Sequence, residues 1–185
     1  VQTAIAARWI ATEARRDRPR AQTAYLAGLL HDIGRFLMVR EMDEDVEYID
    51  ELEREGPLGL LVRERATNGY DHAQLGGRAC AAWNLPKEIC LSIRDHHRRG
   101  ALAEDPEVPG LRKLTSVVAM ADVLSNLLSG PYALADQTGR EQEELLERYC
   151  AGIEYEGLEP HELRSAIEPL LAESRASARA LGLSG

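Results

Sequence analysis

In the stretch YLAGLLHDIGRF, residues 25–36, His31 and Asp32 stand side by side within an otherwise apolar run. Further on, DHAQLGGRACAAWNLPKEICLSIRDHH carries His72, His96 and His97, and VVAMADVL carries Asp122. Taken singly, each has an ordinary explanation: a buried histidine is usually a hydrogen-bonded core residue, and an aspartate near a helix end is usually a cap. Together, four of the five histidines in the chain and two aspartates fall on core-facing positions of four expected helices. An ionised carboxylate is costly there unless it is paired or bound to a cation. A shared metal centre answers for all six at once. Imidazole nitrogen and carboxylate oxygen without thiolate suit iron, manganese, zinc or nickel better than calcium, and we favour iron or manganese. Asp32, next to His31 but displaced around the helix, is placed to span two ions. His31 and Asp122 would lie on one side of it and His72, His96 and His97 on the other. Two such ions about 4 Å apart activate a water and clamp a phosphate ester.

The elements that must position these groups read as helices nearly throughout. Ala, Leu, Glu and Arg are abundant, alternating β-branched runs are few, and the chain has one Phe. We expect an all-α fold. Val1, Ile5 and Trp9 begin the chain at helical spacing with no cap before them, so we expect sequence upstream. Tyr25, Leu26, Leu29, Leu30, Ile33, Phe36 and Leu37 trace a wide apolar stripe along one helix that contains His31 and Asp32. The acidic stretch 43–56 predicts a surface helix ending at Gly56 and Pro57. Asp71 followed by Gln74 reads as a capping box, which sets His72 at the first helical position. Asn84 and Pro86 end that helix and start the next, where Ile89 and Ile93 face inward and Gly100 marks the exit. Counting on from Ile93 places His96 and His97 on the buried side. Leu114, Val117, Val118, Ala121, Leu124 and Leu128 form another core stripe, with Asp122 inside it. After a break at Gly130 and Pro131, Thr138 and Glu141 suggest a second capping box, and the last helix is expected to break near Pro169.

Composition narrows the function classes. With 44% hydrophobic and 29% charged residues, 185 residues suffice for one globular domain. The net charge of −9 and a pI near 5.1 argue against a general binder of DNA, RNA or anionic membrane. Cys80, Cys90 and Cys150 have no C-x-x-C spacing, so neither a disulfide framework nor a thiolate zinc site is suggested and a reducing cytoplasm fits. No apolar run approaches the roughly 20 residues of a membrane helix and no leader opens the chain, so we expect a soluble, unprocessed protein. The cluster Arg15, Arg16, Arg18 and Arg20 reads as a solvated turn, Trp9 and Trp83 as core or contact aromatics, and His161 as a surface residue.

The ordered series HD, DHAxLG, LP, HH and a late Asp resembles the HD superfamily, and more closely its HDOD branch, the HD-related output domains of bacterial signalling proteins. The similarity spans roughly residues 1–128, with 131–185 as variable helices closing the same domain. It implies an HD-domain-like helical bundle in a regulatory role, with signalling protein domains or a nucleotide second messenger as partners. By this resemblance His31 and Asp32 match the namesake pair and Asp122 the late metal aspartate. His72, His96 and His97 match the additional histidines of the two-metal HD-GYP relatives, which hydrolyse cyclic di-GMP. Three departures stand out. The superfamily's first metal histidine would precede the opening helix and has no counterpart in this sequence. The chain reads HHRRGALAEDPEVPG where those hydrolases have an acid followed by D-G-x-G-Y-P. Arg35 stands where they usually have Lys, keeping the charge but changing its geometry.

Three readings follow. The first is a regulatory output domain that retains a divalent-metal site. The second is a metal-dependent phosphohydrolase using a metal-bridging hydroxide, with Asp32 and Arg35 as candidate catalytic residues and Arg98 or Arg99 offering further charge. A helix C-terminus favouring cations explains Arg98 and Arg99 more simply. The third is a metal-free scaffold, which would need an extensive, fully satisfied polar network. Asp32→Ala separates it from the others: the substitution should strip metal and lower the melting temperature. Unchanged metal content and melting temperature would remove the centre.

Overall fold

The structure, a computed structural model, describes residues 1–14, 17–41, 59–98, 105–129, 134, 137–151, 153, 163–180 and 182. Among these there are helices and no strand, apart from a lone bridge between Asp105 and Val108. In chain order, α1 is Gln2–Trp9, followed by a π-helical turn over Ile10–Ala14 and a 3-10 turn over Arg18–Arg20. Then come α2 (Ala21–Leu30), α3 (Ile33–Glu41), α4 (59–68), α5 (His72–Ala82) and α6 (Lys87–Asp95). The series closes with α7 (Leu111–Ser129), α8 (Gly139–Cys150) and α9 (Ile167–Ala180). The acidic stretch 43–56, the break at Gly130 and Pro131, Arg15, Arg16, Arg99 and His161 lie outside the described residues.

The core is organised on α7. Its expected stripe, Leu114, Val117, Val118, Ala121, Leu124 and Leu128, is buried, and so is most of the rest of the helix. Apolar residues all round make a helix interior to its domain, and α1, α2, α6 and α8 pack against this one. Thr115 and Ser116 remain satisfied there by donating to the carbonyls of Leu111 and Arg112. No helix among the described residues is long and apolar enough to cross a membrane. Cys80 and Cys90 are buried thiols.

The single helix expected through His31 and Asp32 is two helices. α2 ends at Leu30, His31 and Asp32 form a turn, and α3 starts at Ile33. The apolar stripe changes accordingly: Phe36 is 73% exposed and Leu29 42% exposed. The buried face of α2 consists instead of Ala21, Ala24, Ala27 and Gly28. Small residues win because α1 lies so close. A Cβ on Gly28 would stand 2.9 Å from the Thr3 carbonyl oxygen and 3.0 Å from the Ala7 Cβ.

The α5–α6 hairpin follows its sequence signals. Asn84 adopts a left-handed conformation, φ 57°, after α5. Asn84 N–H then donates to Ala81 O and Leu85 N–H to Cys80 O, the paired bonds of a Schellman cap. Pro86 precedes α6, which runs back along α5 and ends at Asp95 rather than continuing to Gly100. His96 and His97 therefore sit in a turn at the end of α6, beside the start of α5. Trp9 packs on the core, whereas Trp83, at the end of α5, is half-exposed. α9 begins at Ile167, so Pro169 falls in its first turn, where a missing N–H leaves no intrahelical bond unmade.

One contact locks α3 to α5. A Cβ on Gly34 would lie 1.9 Å from the His72 carbonyl oxygen and 2.9 Å from Gly76 N. Gly34→Ala must force the two backbones apart, an overpacking that costs about 1–3 kcal/mol or more. Gly69 is the comparison: its φ of 78° is strained for a side chain, but nothing lies within 4 Å of its Cβ position, so Gly69→Ala should cost about 1–2 kcal/mol. Urea unfolding should show the larger loss for Gly34→Ala, and equal losses would contradict the close approach.

Candidate metal centre

Four helix ends and the middle of α7 meet at one buried point. The α2–α3 turn brings His31 and Asp32, the first residue of α5 is His72, the turn after α6 brings His96 and His97, and α7 supplies Asp122. His72 is set there by the expected capping box. Asp71 accepts from Gln74 N–H at 2.8 Å, Gln74 accepts from Asp71 N–H at 3.3 Å, and the Arg65 guanidinium donates to the Asp71 carboxylate. His31, His72, His96 and Asp122 are buried; Asp32, Arg35 and His97 are partly open, so solvent reaches the cluster from their side.

The donor atoms form two groups, each within 4.8 Å: Asp32, His72, His96 and His97, and His31, His96 and Asp122. Asp32 faces both. Its Oδ1 lies 3.2 Å from His72 Nε2 and its Oδ2 lies 3.4 Å from His31 Nε2. His31 Nε2 is 3.3 Å from Asp122 Oδ1, which also accepts from Asn126 Nδ2 at 2.9 Å. His72 Nε2 and His97 Nε2 are 3.0 Å apart. His96 belongs to both groups but has one free lone pair. Its Nδ1–H donates to Ile93 O at 2.6 Å, and its buried Nε2 has no hydrogen-bond partner; nor has Asp32 Oδ1.

The ring orientations are fixed from behind. His31 Nδ1–H donates to Gly28 O at 2.9 Å, which leaves Nε2 facing the cluster. His72 Nδ1–H donates to Glu64, 2.7 Å to one oxygen and 3.0 Å to the other. Glu64 was not among the residues singled out in the sequence. The available signal was local: Leu60 and Leu61, three and four residues earlier, are buried, and Glu64 shares their face of α4 at 2% exposure.

Charge follows burial and pairing. Burial pushes His96 down to about 4, aided by the neighbouring His31, and pushes His97 down to about 2, aided by His96. Both rings are therefore neutral and ligand-competent near pH 7. For His31, burial is outweighed by the Asp122 hydrogen bond and the Asp32 charge, and its affinity for a proton is raised. His72 is raised likewise, against burial, by Asp32 and Glu64. Burial would lift both aspartates, but the His31 bond brings Asp122 to about 2, and His72, His31 and Arg35 hold Asp32 well below the usual carboxylate range. Arg35 Nη1 lies 3.2 Å from Asp32 Oδ2, and its buried Nε is without a hydrogen-bond partner. Arg98 is exposed and 3.7 Å from Asp95, which Arg94 also holds.

Among known proteins, the family model described as HDOD domain matches residues 1–99. The match includes His31, Asp32, Arg35, Glu64, His72, His96 and His97 and stops short of Asp122. An uncharacterized protein of Treponema pallidum (strain Nichols) is 29% identical over 118 residues, which is 63% of this chain. The chain spans 22% of the length of that curated relative. No solved structure matches the chain significantly.

Because the capping box places His72, Asp71→Ala should both destabilise the protein and loosen the cluster. Loss of such a cap costs about 0.5–2 kcal/mol. The check is a chemical denaturation curve, in which an unchanged midpoint would contradict the role assigned to Asp71.

Proposed function

The chain belongs to the HDOD domain family, and from that premise we propose that it is a regulatory output domain of bacterial signal transduction built around a divalent-metal centre. The observation that carries the metal is the convergence of outward-locked imidazoles on two carboxylates, with His96 Nε2 and Asp32 Oδ1 buried and unpartnered among them. Orphaned buried acceptors are costly in a protein interior. A cation between them removes that cost. His72 Nε2 and His97 Nε2, 3.0 Å apart, would both face the same ion.

Asp32, His72, His96 and His97 would hold one ion. His31, Asp122 and the second Asp32 oxygen would hold another, with fewer protein donors because the His96 lone pair serves one ion only. The nitrogen-and-oxygen donor set favours iron or manganese, with zinc or nickel as alternatives. When bound, such ions supply concentrated positive charge that attracts phosphate oxygens. The regulatory reading is supported by the family and by HHRRGALAEDPEVPG, which lacks the hydrolase signature. Its partners would be signalling domains or a nucleotide second messenger.

A second reading, a phosphohydrolase, is favoured by one feature: the cluster opens to solvent where Asp32 and Arg35 stand, at 24% and 29% side-chain exposure. Arg35 would there hold a phosphate oxygen while Asp32 orients the group that attacks.

Mn2+ should raise the melting temperature of the unaltered protein, because a ligand at 100 times its Kd stabilises by about 2.7 kcal/mol. His97→Ala should lose most of this gain and Asp122→Asn a smaller part. The Mn2+-loaded protein should leave bis(p-nitrophenyl) phosphate intact. Turnover that disappears in Arg35→Ala would install the hydrolase reading instead, and a melting temperature indifferent to Mn2+ would contradict the centre itself.

A further inference from the structure

Three of the four histidines of the centre have an acceptor behind Nδ1, and the helix ends provide it unequally. His31 and His96 follow the C-termini of α2 and α6, where the last carbonyls are free, and each donates to the carbonyl three residues earlier, Gly28 O and Ile93 O. His72 has no such carbonyl. It is the first residue of α5, and a helix N-terminus presents N–H groups instead. Glu64 supplies the missing acceptor from α4. One carboxylate oxygen accepts from His72 main-chain N–H at 2.8 Å and from Nδ1–H at 2.7 Å, and the other lies 3.0 Å from Nδ1.

Resting on the metal centre proposed above, we infer that Glu64 is the positioning residue that commits His72 to bind metal through Nε2. His72 is fully buried and Glu64 nearly so, which locks the pair in one arrangement. With Nδ1–H held by Glu64, the Nε2 lone pair must face Asp32 Oδ1 and His97 Nε2. An anionic partner also makes an imidazole a stronger donor than a neutral carbonyl does. His72 is thereby a stronger donor to an ion than His96, whose Nδ1–H meets a neutral carbonyl. A purely structural carboxylate would serve only the helix N-terminus, where the Asp71–Gln74 box already caps α5.

Glu64→Gln separates the two roles, since the amide keeps an acceptor oxygen and loses the charge. Melting in EDTA reports the structural contribution. Mn2+ affinity, by competition with a chelator, reports the positioning one. The affinity should fall about 10–100-fold. Nitrogen-15 NMR of the Zn2+-loaded unaltered protein should show His72 protonated at Nδ1 with Nε2 on the metal. A folded Glu64→Gln that binds Mn2+ as tightly as the unaltered protein overturns the inference. If that variant does not fold, the NMR decides: Nδ1–H supports the inference and Nε2–H overturns it. An unaltered protein that takes up no metal instead overturns the centre on which the inference rests.

Discussion

Buried charge must be compensated, and this constraint organises the molecule around its six central side chains. Asp122 sits in the middle of the most buried helix and Asp32 opposite it, both ionised in an interior that disfavours isolated charge. The fold answers by bringing helix ends to that point. C-termini of α2 and α6 offer carbonyls that hold His31 and His96, and the N-terminus of α5 offers amides that hold Asp71 and Glu64. Close approaches at Gly28 and Gly34 let α1, α2, α3 and α5 draw near enough for the side chains to meet. Two buried acceptors there, His96 Nε2 and Asp32 Oδ1, remain without a hydrogen-bond partner, as the lining of a cation site would.

Much of this was legible from residue types and spacing. The capping boxes at Asp71 and Thr138 and the stripe on α7 depend on local spacing, which short-range physics fixes. The six candidate ligands meet at one point, and each stood out in the sequence as a polar residue at a core-facing position of an expected helix, an anomaly visible without knowledge of tertiary packing. Three features were not legible. The break between α2 and α3 falls at His31 and Asp32 with no proline there, and the apolar spacing of Leu29, Leu30, Ile33, Phe36 and Leu37 carries straight across it. The exposure of Leu29 follows from small residues of α2 packing against α1, a tertiary choice that favours alanine and glycine over larger apolar groups. Glu64 lies between Arg63 and Arg65, and only its helical spacing from Leu60 and Leu61 sets it apart.

The same geometry bears on the choice between regulation and catalysis. A centre sealed on every side would be a structural staple. This one is sealed at His72 and His96 and open beside Asp32, Arg35 and His97, so a ligand with an anionic group can approach it. An opening of that kind serves a sensor of phosphorylated messengers as well as a hydrolase. The difference lies in whether the chain positions a leaving group, and the segment that follows the double histidine lacks the motif hydrolytic relatives use there.

The central claim is that cations occupy the space between these lone pairs, and anomalous diffraction from crystals of the protein soaked in Mn2+ tests it most directly. The account predicts an anomalous peak bonded to Nε2 of His72, His96 and His97 and to Asp32, with a weaker second peak beside His31 and Asp122. Crystals without an anomalous peak in the cluster, in which hydrogen bonds among the side chains and water satisfy the same lone pairs, would contradict it.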